Sequence, residues 1–129
     1  MTKCPFGKRS SSSCQLNPCP ESPNCVSTDS KKSYQKIEPL PFTVDALKRI
    51  CNFFKKNYST KVKKQTDSYL HLVVSTKLFR FKDDVEFLIS PDKKTISIRS
   101  ASRTGFYDFG KNRQRIKKLR KYLRVNRPS

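Results

Sequence analysis

The clearest pattern in the chain is a period of two. Phe79, Phe81, Val85, Phe87 and Ile89 share one parity with Asp83, and Leu78, Arg80, Lys82, Asp84, Glu86 and Leu88 share the other. Alternation of this kind predicts a strand with one face buried. Pro91-Asp92-Lys93-Lys94 supplies turn residues, after which Ile96, Ile98 and Ser100 alternate with Thr95, Ser97 and Arg99. The two runs predict a β-hairpin. A continuous apolar face requires Ile89 opposite Ile96 and Phe87 opposite Ile98, which sets Glu86 opposite Arg99 and Asp83 opposite Ser102. Upstream, Leu70, Leu72 and Val74 alternate with Tyr69, His71 and Val73, a further strand, and Thr60 to Thr66 is a weaker one with Val62 as its core residue. Two stretches switch to the helical period. Leu47, Ile50, Cys51 and Phe54 follow i, i+3, i+4, i+7 behind Thr43 as N-cap and Asp45 in the first turn. Asn112, Ile116, Leu119 and Leu123 form one stripe of a last helix expected from Asp108 to Arg124. The expected fold is α+β, a four-stranded antiparallel sheet with two helices on one face, in the order arm-α-β-β-β-β-α. Residues 1–34 are expected as an extended arm that contributes little to folding, 35–124 as the domain and 125–129 as a basic tail.

Parity puts a charge among the apolar residues. Asp83 points where the phenylalanines point, and a carboxylate there needs partners or takes up a proton. Arg103 and Arg113 are its nearest cationic candidates, either able to lock the last helix onto the sheet. Asp84, on the other face, is expected to matter less for stability. Together with Glu86, Arg99 and Asp108 these residues form a charged constellation. An anion-binding or catalytic site can be written from it, with Ser100 and Ser102 as hydroxyls. The plainer reading is an ion-pair network tying hairpin to helix. It is preferred because the chain has no nucleophile elbow, phosphate-cradling glycine loop or histidine-rich cluster. No cofactor is implied, and the lone histidine, His71, reads as structural.

The residues now reached carry a resemblance. Phe81-x-Asp83-Asp84-Val85-Glu86-Phe87, Arg99-Ser100-Ala101-Ser102-Arg103-x-Gly105 and Asp108-x-Gly110-x-Asn112-Arg113-x-Arg115 resemble the domain-of-unknown-function family 1499. Cys19-Pro20-x-Ser22-Pro23-Asn24-Cys25-Val26 is similar to the motif that opens that domain, and Ile37-x-Pro39-Leu40 to the piece that follows. The resemblance runs from about Cys19 to about Leu123. It implies a small α+β domain, often found behind a bacterial lipoprotein or export signal, and says little of function, because the family is itself uncharacterised. This chain departs from that setting, since no segment of it resembles a signal peptide and no run is long enough to span a membrane. An intracellular location, or one within an assembled particle, is therefore expected.

Four of the five cysteines, Cys4, Cys14, Cys19 and Cys25, fall in the arm. Free thiols, disulfides and a zinc site compete. The missing C-x-x-C spacing disfavours zinc, so no metal is expected. Pro20 and Pro23 bend the segment between Cys19 and Cys25, which favours a bridge there. Charge adds the last element. Lys and Arg number 29 against 10 Asp and Glu, a net charge of +19, and residues 101–129 hold ten of the cations with Asp108 as the one acid. Such density on the last helix exceeds what solubility needs. It marks Arg115, Lys117, Lys118, Arg120, Lys121 and Arg124 as candidate anion-binding residues. The partner expected is a polyanion or a protein assembly, with nucleic acid bound without sequence specificity; a viral particle would fit the arm and the charge. A basic structural or adaptor protein is the first reading, and a small-ligand binder or enzyme using the Asp/Arg/Ser cluster is the second.

Overall fold

A computed structural model describes residues 16–75, 81–104 and 110–125. Two short strands, β1 (Cys25–Ser27) and β2 (Leu40–Pro41), precede helix α1 (Ala46–Asn57). Four longer strands follow: β3 (Ser59–Gln65), β4 (Tyr69–Ser75), β5 (Asp83–Ile89) and β6 (Thr95–Ser102). Helix α2 (Lys111–Val125) closes the chain. The architecture is α+β, but the sheet has six strands rather than four. Its order is β1-β6-β5-β4-β3, and β2 also pairs with β6. The element order is thus β-β-α-β-β-β-β-α, with two strands ahead of the first helix. At three and two residues, β1 and β2 are too short to show alternation. They form because β6 needs partners on its outer side, where Cys25 lies opposite Ala101 and Leu40 opposite Ile96.

The central hairpin has the register required by its apolar face: Ile89 opposite Ile96, Phe87 opposite Ile98, Glu86 opposite Arg99 and Asp83 opposite Ser102. β5 begins at Asp83, and Phe81, placed inward by parity alone, is 57% exposed. Both helices pack on the face of β5 that carries Val85 and Phe87. Phe54 of α1 meets Phe87 at 5.9 Å between ring centroids, and Ile116 and Leu119 of α2 join the same core as Leu70, Leu72, Val74, Ile96 and Ile98. The start of α1 differs from expectation. Thr43 and Asp45 lie in a turn before Ala46, and no side chain caps the helix. The backbone holds that turn instead, through Ala46 N–H donating to Thr43 O at 3.1 Å. Asp108, the expected cap of α2, lies outside the described residues.

The described part of the arm is built into the domain, so residue 34 marks no boundary in the packing. Leu16 is buried, and Cys19 and Cys25 form a disulfide. Gln35, itself buried, donates to the carbonyls of Pro20 at 2.6 Å and Ser22 at 2.9 Å. Ser102 N–H donates to Asn24 O at 3.0 Å, extending the β1–β6 ladder by one bond. At the far side of the sheet β3 is the terminal strand, and all its residues except the half-buried Thr60 are exposed, including Lys61, Lys63 and Lys64. A bulge interrupts its register between Val62 and Lys64.

Candidate functional site

Asp83 is 1% exposed and sits beneath the first turn and a half of α2. Its Oδ2 accepts a hydrogen bond from Arg115 Nη2 at 2.6 Å and lies 3.4 Å from Lys111 Nζ. Arg115 is 2% exposed, and its Nη1 donates to Asn112 Oδ1 at 2.6 Å and Ser100 Oγ at 3.0 Å. Ser100 Oγ in turn donates to Asn112 Oδ1 at 2.7 Å. Asn112 Nδ2 donates to Ser102 Oγ at 3.0 Å and to Asn24 O at 3.1 Å. The guanidinium also lies over the Tyr58 ring, 5.2 Å from its centroid, a cation–π contact. One oxygen of the buried carboxylate is thus matched by two cations, and neutral dipoles of Asn112 and Ser100 hold the guanidinium in place, while Asp83 Oδ1 has no hydrogen-bond partner among the described residues.

The partner of Asp83 is neither expected arginine. Arg103 turns to the opposite face. Arg113 donates to the carbonyls of Tyr34 at 2.8 Å and Lys36 at 3.2 Å, tying α2 to the chain that follows β1. Arg115 takes the place at Asp83, so a residue assigned by charge to the anion-binding face is in the core. Its spacing carried the signal: position 115 is three after Asn112 and four before Leu119, both on the inward stripe.

Asp84 occupies the other face of β5. Arg103 grips it with two bonds, Nε to Oδ2 at 2.8 Å and Nη2 to Oδ1 at 2.9 Å, and His71 Nε2 lies 2.8 Å from Oδ1. Burial alone would push this carboxyl up. The hydrogen bonds from His71 and Arg103, with their charges, outweigh it and hold the carboxyl well below the usual carboxylate range. Next along this face, Glu86 is 1% exposed. It accepts from Asn17 Nδ2 at 2.6 Å and from Asn17 N–H at 3.2 Å, with Arg99 Nη1 at 4.0 Å. The expected constellation therefore separates into two networks, one on each face of the sheet.

The remaining candidates lie on the outside of α2. Lys117, Lys118, Lys121 and Arg124 are exposed, and none pairs with a carboxylate among the described residues. Arg120 is half-buried and donates to the carbonyls of Glu38 and, at 3.3 Å, Pro39. Lys48, Lys55 and Lys56 of α1 are exposed as well. Among the described residues no group of three His, Cys, Asp or Glu side chains is placed to hold a metal ion, and no helix is long and apolar enough to cross a membrane.

A family model described as "Protein of unknown function (DUF1499)" matches residues 15–123. The chain belongs to the DUF1499 family. No curated protein and no solved structure matches it. The matched span of this DUF1499 domain opens just before Leu16, so the disulfide loop and β1 are part of the family unit. Asp83, Ser100, Ser102, Asn112 and Arg115 come from three separate stretches of the DUF1499 sequence and meet in one buried network.

Proposed function

We propose that this chain is a non-enzymatic basic protein that binds a polyanion through the outer face of α2, as a structural or adaptor component of an anionic or nucleoprotein assembly. The observation that carries the reading is the division of charge. The acids of β5 are consumed by Arg115, Lys111, Arg103, His71 and Asn17, while Lys117, Lys118, Lys121 and Arg124 stand in solvent with no described carboxylate partner. Cations left in this state attract phosphate or another repeated anion and release its counterions on binding. The Asp83 cluster supports no competing chemistry. Ser100 is fully buried, and its hydroxyl donates to Asn112 and accepts from Arg115, so it is held by an amide and a guanidinium rather than by a base.

Titration of the full chain with duplex DNA, single-stranded RNA and inorganic polyphosphate, at salt from about 50 to 200 mM, tests the proposal. Affinity should fall steeply with salt and depend little on base sequence. Neutralising Lys117, Lys118, Arg120 and Lys121 together should lower the slope of log K against log salt by about 3. Affinity that stays flat across the salt range would remove the reading.

A further inference from the structure

In an antiparallel ladder alternate residues turn their N–H and C=O groups away from the partner strand. β4 therefore satisfies one side of β3, and no described strand satisfies the other. The register sorts the side chains of this edge, because residues directly opposite in a sheet share a face. Thr60, Val62 and Gln65 lie opposite Val74, Leu72 and Leu70, so they fall on the face that the helices cover. Thr60 Oγ1 donates to Phe54 O of α1 at 2.9 Å from that side. Lys61 and Lys64 lie opposite Val73 and His71, on the other face. Three residues apart, they would point to opposite faces of a regular strand. The bulge between Val62 and Lys64 re-aims the second lysine and brings both to one face. The edge thus offers lysines on one side of the pleat and Val62, 39% exposed, on the other.

The charge here is uniform. Residues 55–66 hold five lysines and no acid. Lys61, Lys63 and Lys64 are exposed, and none pairs with a carboxylate among the described residues. Lys55 and Lys56 are exposed in the last turn of α1, which leads into β3. We propose that β3 is a docking edge for an extended acidic segment of another protein. The segment adds to the sheet as a further strand, with Asp or Glu opposite Lys61 and Lys64 and an apolar side chain opposite Val62. Main-chain bonds supply the affinity of such an addition, and the lysines choose the guest. Opposite charges across a sheet attract and like charges repel, so an acidic strand is admitted and a basic one refused. A polyanion without a peptide backbone can meet the lysines but makes none of the ladder bonds. The edge is on a different element from the polyanion face of α2 and does not depend on it.

The experiment is titration of the full chain, at about 150 mM salt, with a fluorescent peptide of alternating Val and Glu and with its Val-Gln and Val-Lys counterparts. Backbone amide exchange is followed by NMR. The Val-Glu peptide should bind and slow exchange along β3, the Val-Gln peptide should bind more weakly, and the Val-Lys peptide should not bind. N-methylation of one alternate set of peptide amides should abolish binding, and N-methylation of the other should spare it, because only one set faces β3. Lys61→Glu with Lys64→Glu, both at exposed positions, should weaken the Val-Glu peptide roughly tenfold and admit the Val-Lys peptide instead. No binding of the Val-Glu peptide would overturn the proposal. Equal binding of the parent and both N-methylated peptides, or exchange that slows at α2 and not at β3, would do the same, since charge alone would then hold the peptide. So would light scattering that shows a dimer with β3 already protected, since the occupant would then be a second copy.

Discussion

The two halves of α2 carry the same kind of side chain and put it to opposite uses. Lys111, Arg113 and Arg115 turn toward a carboxylate or backbone carbonyls and fasten the helix to the sheet. Lys117, Lys118, Lys121 and Arg124, a turn or two further on, face solvent with no such partner. The helix does not change between them, but what lies beneath it does. Asp83 at the start of β5 lies under the first half, and under the second lie apolar residues of the core. Cationic density therefore does not distinguish core from surface in this protein. The position of one acid does.

The largest effect should come from removing that acid. Asp83→Ala strands a buried guanidinium and should cost about 3–5 kcal/mol, read from the midpoint of chemical unfolding. Pairing Asp83→Leu with Arg115→Met should recover most of the loss, because a filled apolar site replaces two desolvated charges. A double variant as unstable as the single would mean that the pair does more than neutralise itself.

This division was only half legible in the sequence. The depth of Asp83 followed from parity, because the side-chain period of a strand is strict and the phenylalanines mark its inner face. The identity of its partner did not follow. Arg103 and Arg113 are nearer in sequence, but nearness along the chain does not set the angle at which a helix docks. The spacing of Asn112, Arg115 and Leu119 points to the buried arginine, provided Asn112 is taken as an anchor rather than as polar filler. β1 and β2 were illegible for another reason: their hydrogen bonds run to β6, and a two- or three-residue strand leaves no period of its own. The partners of Asp84 did not follow either, because it lies outside the apolar core, where parity points to neither His71 nor Arg103.

The disulfide sharpens the comparison from the other end of the network, since Asn112 also donates to Asn24 O beside Cys25. Cys19→Ser with Cys25→Ser should cost roughly 2 kcal/mol, as expected for a short closed loop. Hydrogen exchange should quicken at the start of α2 before it does at the end. Uniform loosening of the helix would break the distinction between its halves.

A smaller effect is expected at Asp84, whose partners are on β4 and just past β6 rather than on α2. Asp84→Asn should cost about 1–2 kcal/mol. The folded carboxyl is held below its ordinary value, so its contribution is complete above that value and fades as the pH falls through about 4 and lower. The variant should accordingly lose less stability than the parent between neutral pH and pH 3, by thermal unfolding. A parallel loss in both proteins would remove the assigned role. Smallest of all, Lys117→Gln, Lys118→Gln and Lys121→Gln together should move stability by no more than about 0.5 kcal/mol. A larger loss would place these lysines in the same structural class as Arg115.

The terminal strand β3 gives this charge a further meaning. A sheet edge offers its outward N–H and C=O groups to any strand that approaches, the same edge of a second copy included. Lys61, Lys63 and Lys64, with the bulge beside them, keep two such edges apart by repulsion. That protection lasts only while the lysines are unscreened. If the proposed polyanion reaches β3, it would cancel the repulsion between copies while crowding them together, so edge-to-edge pairing would be a consequence of binding.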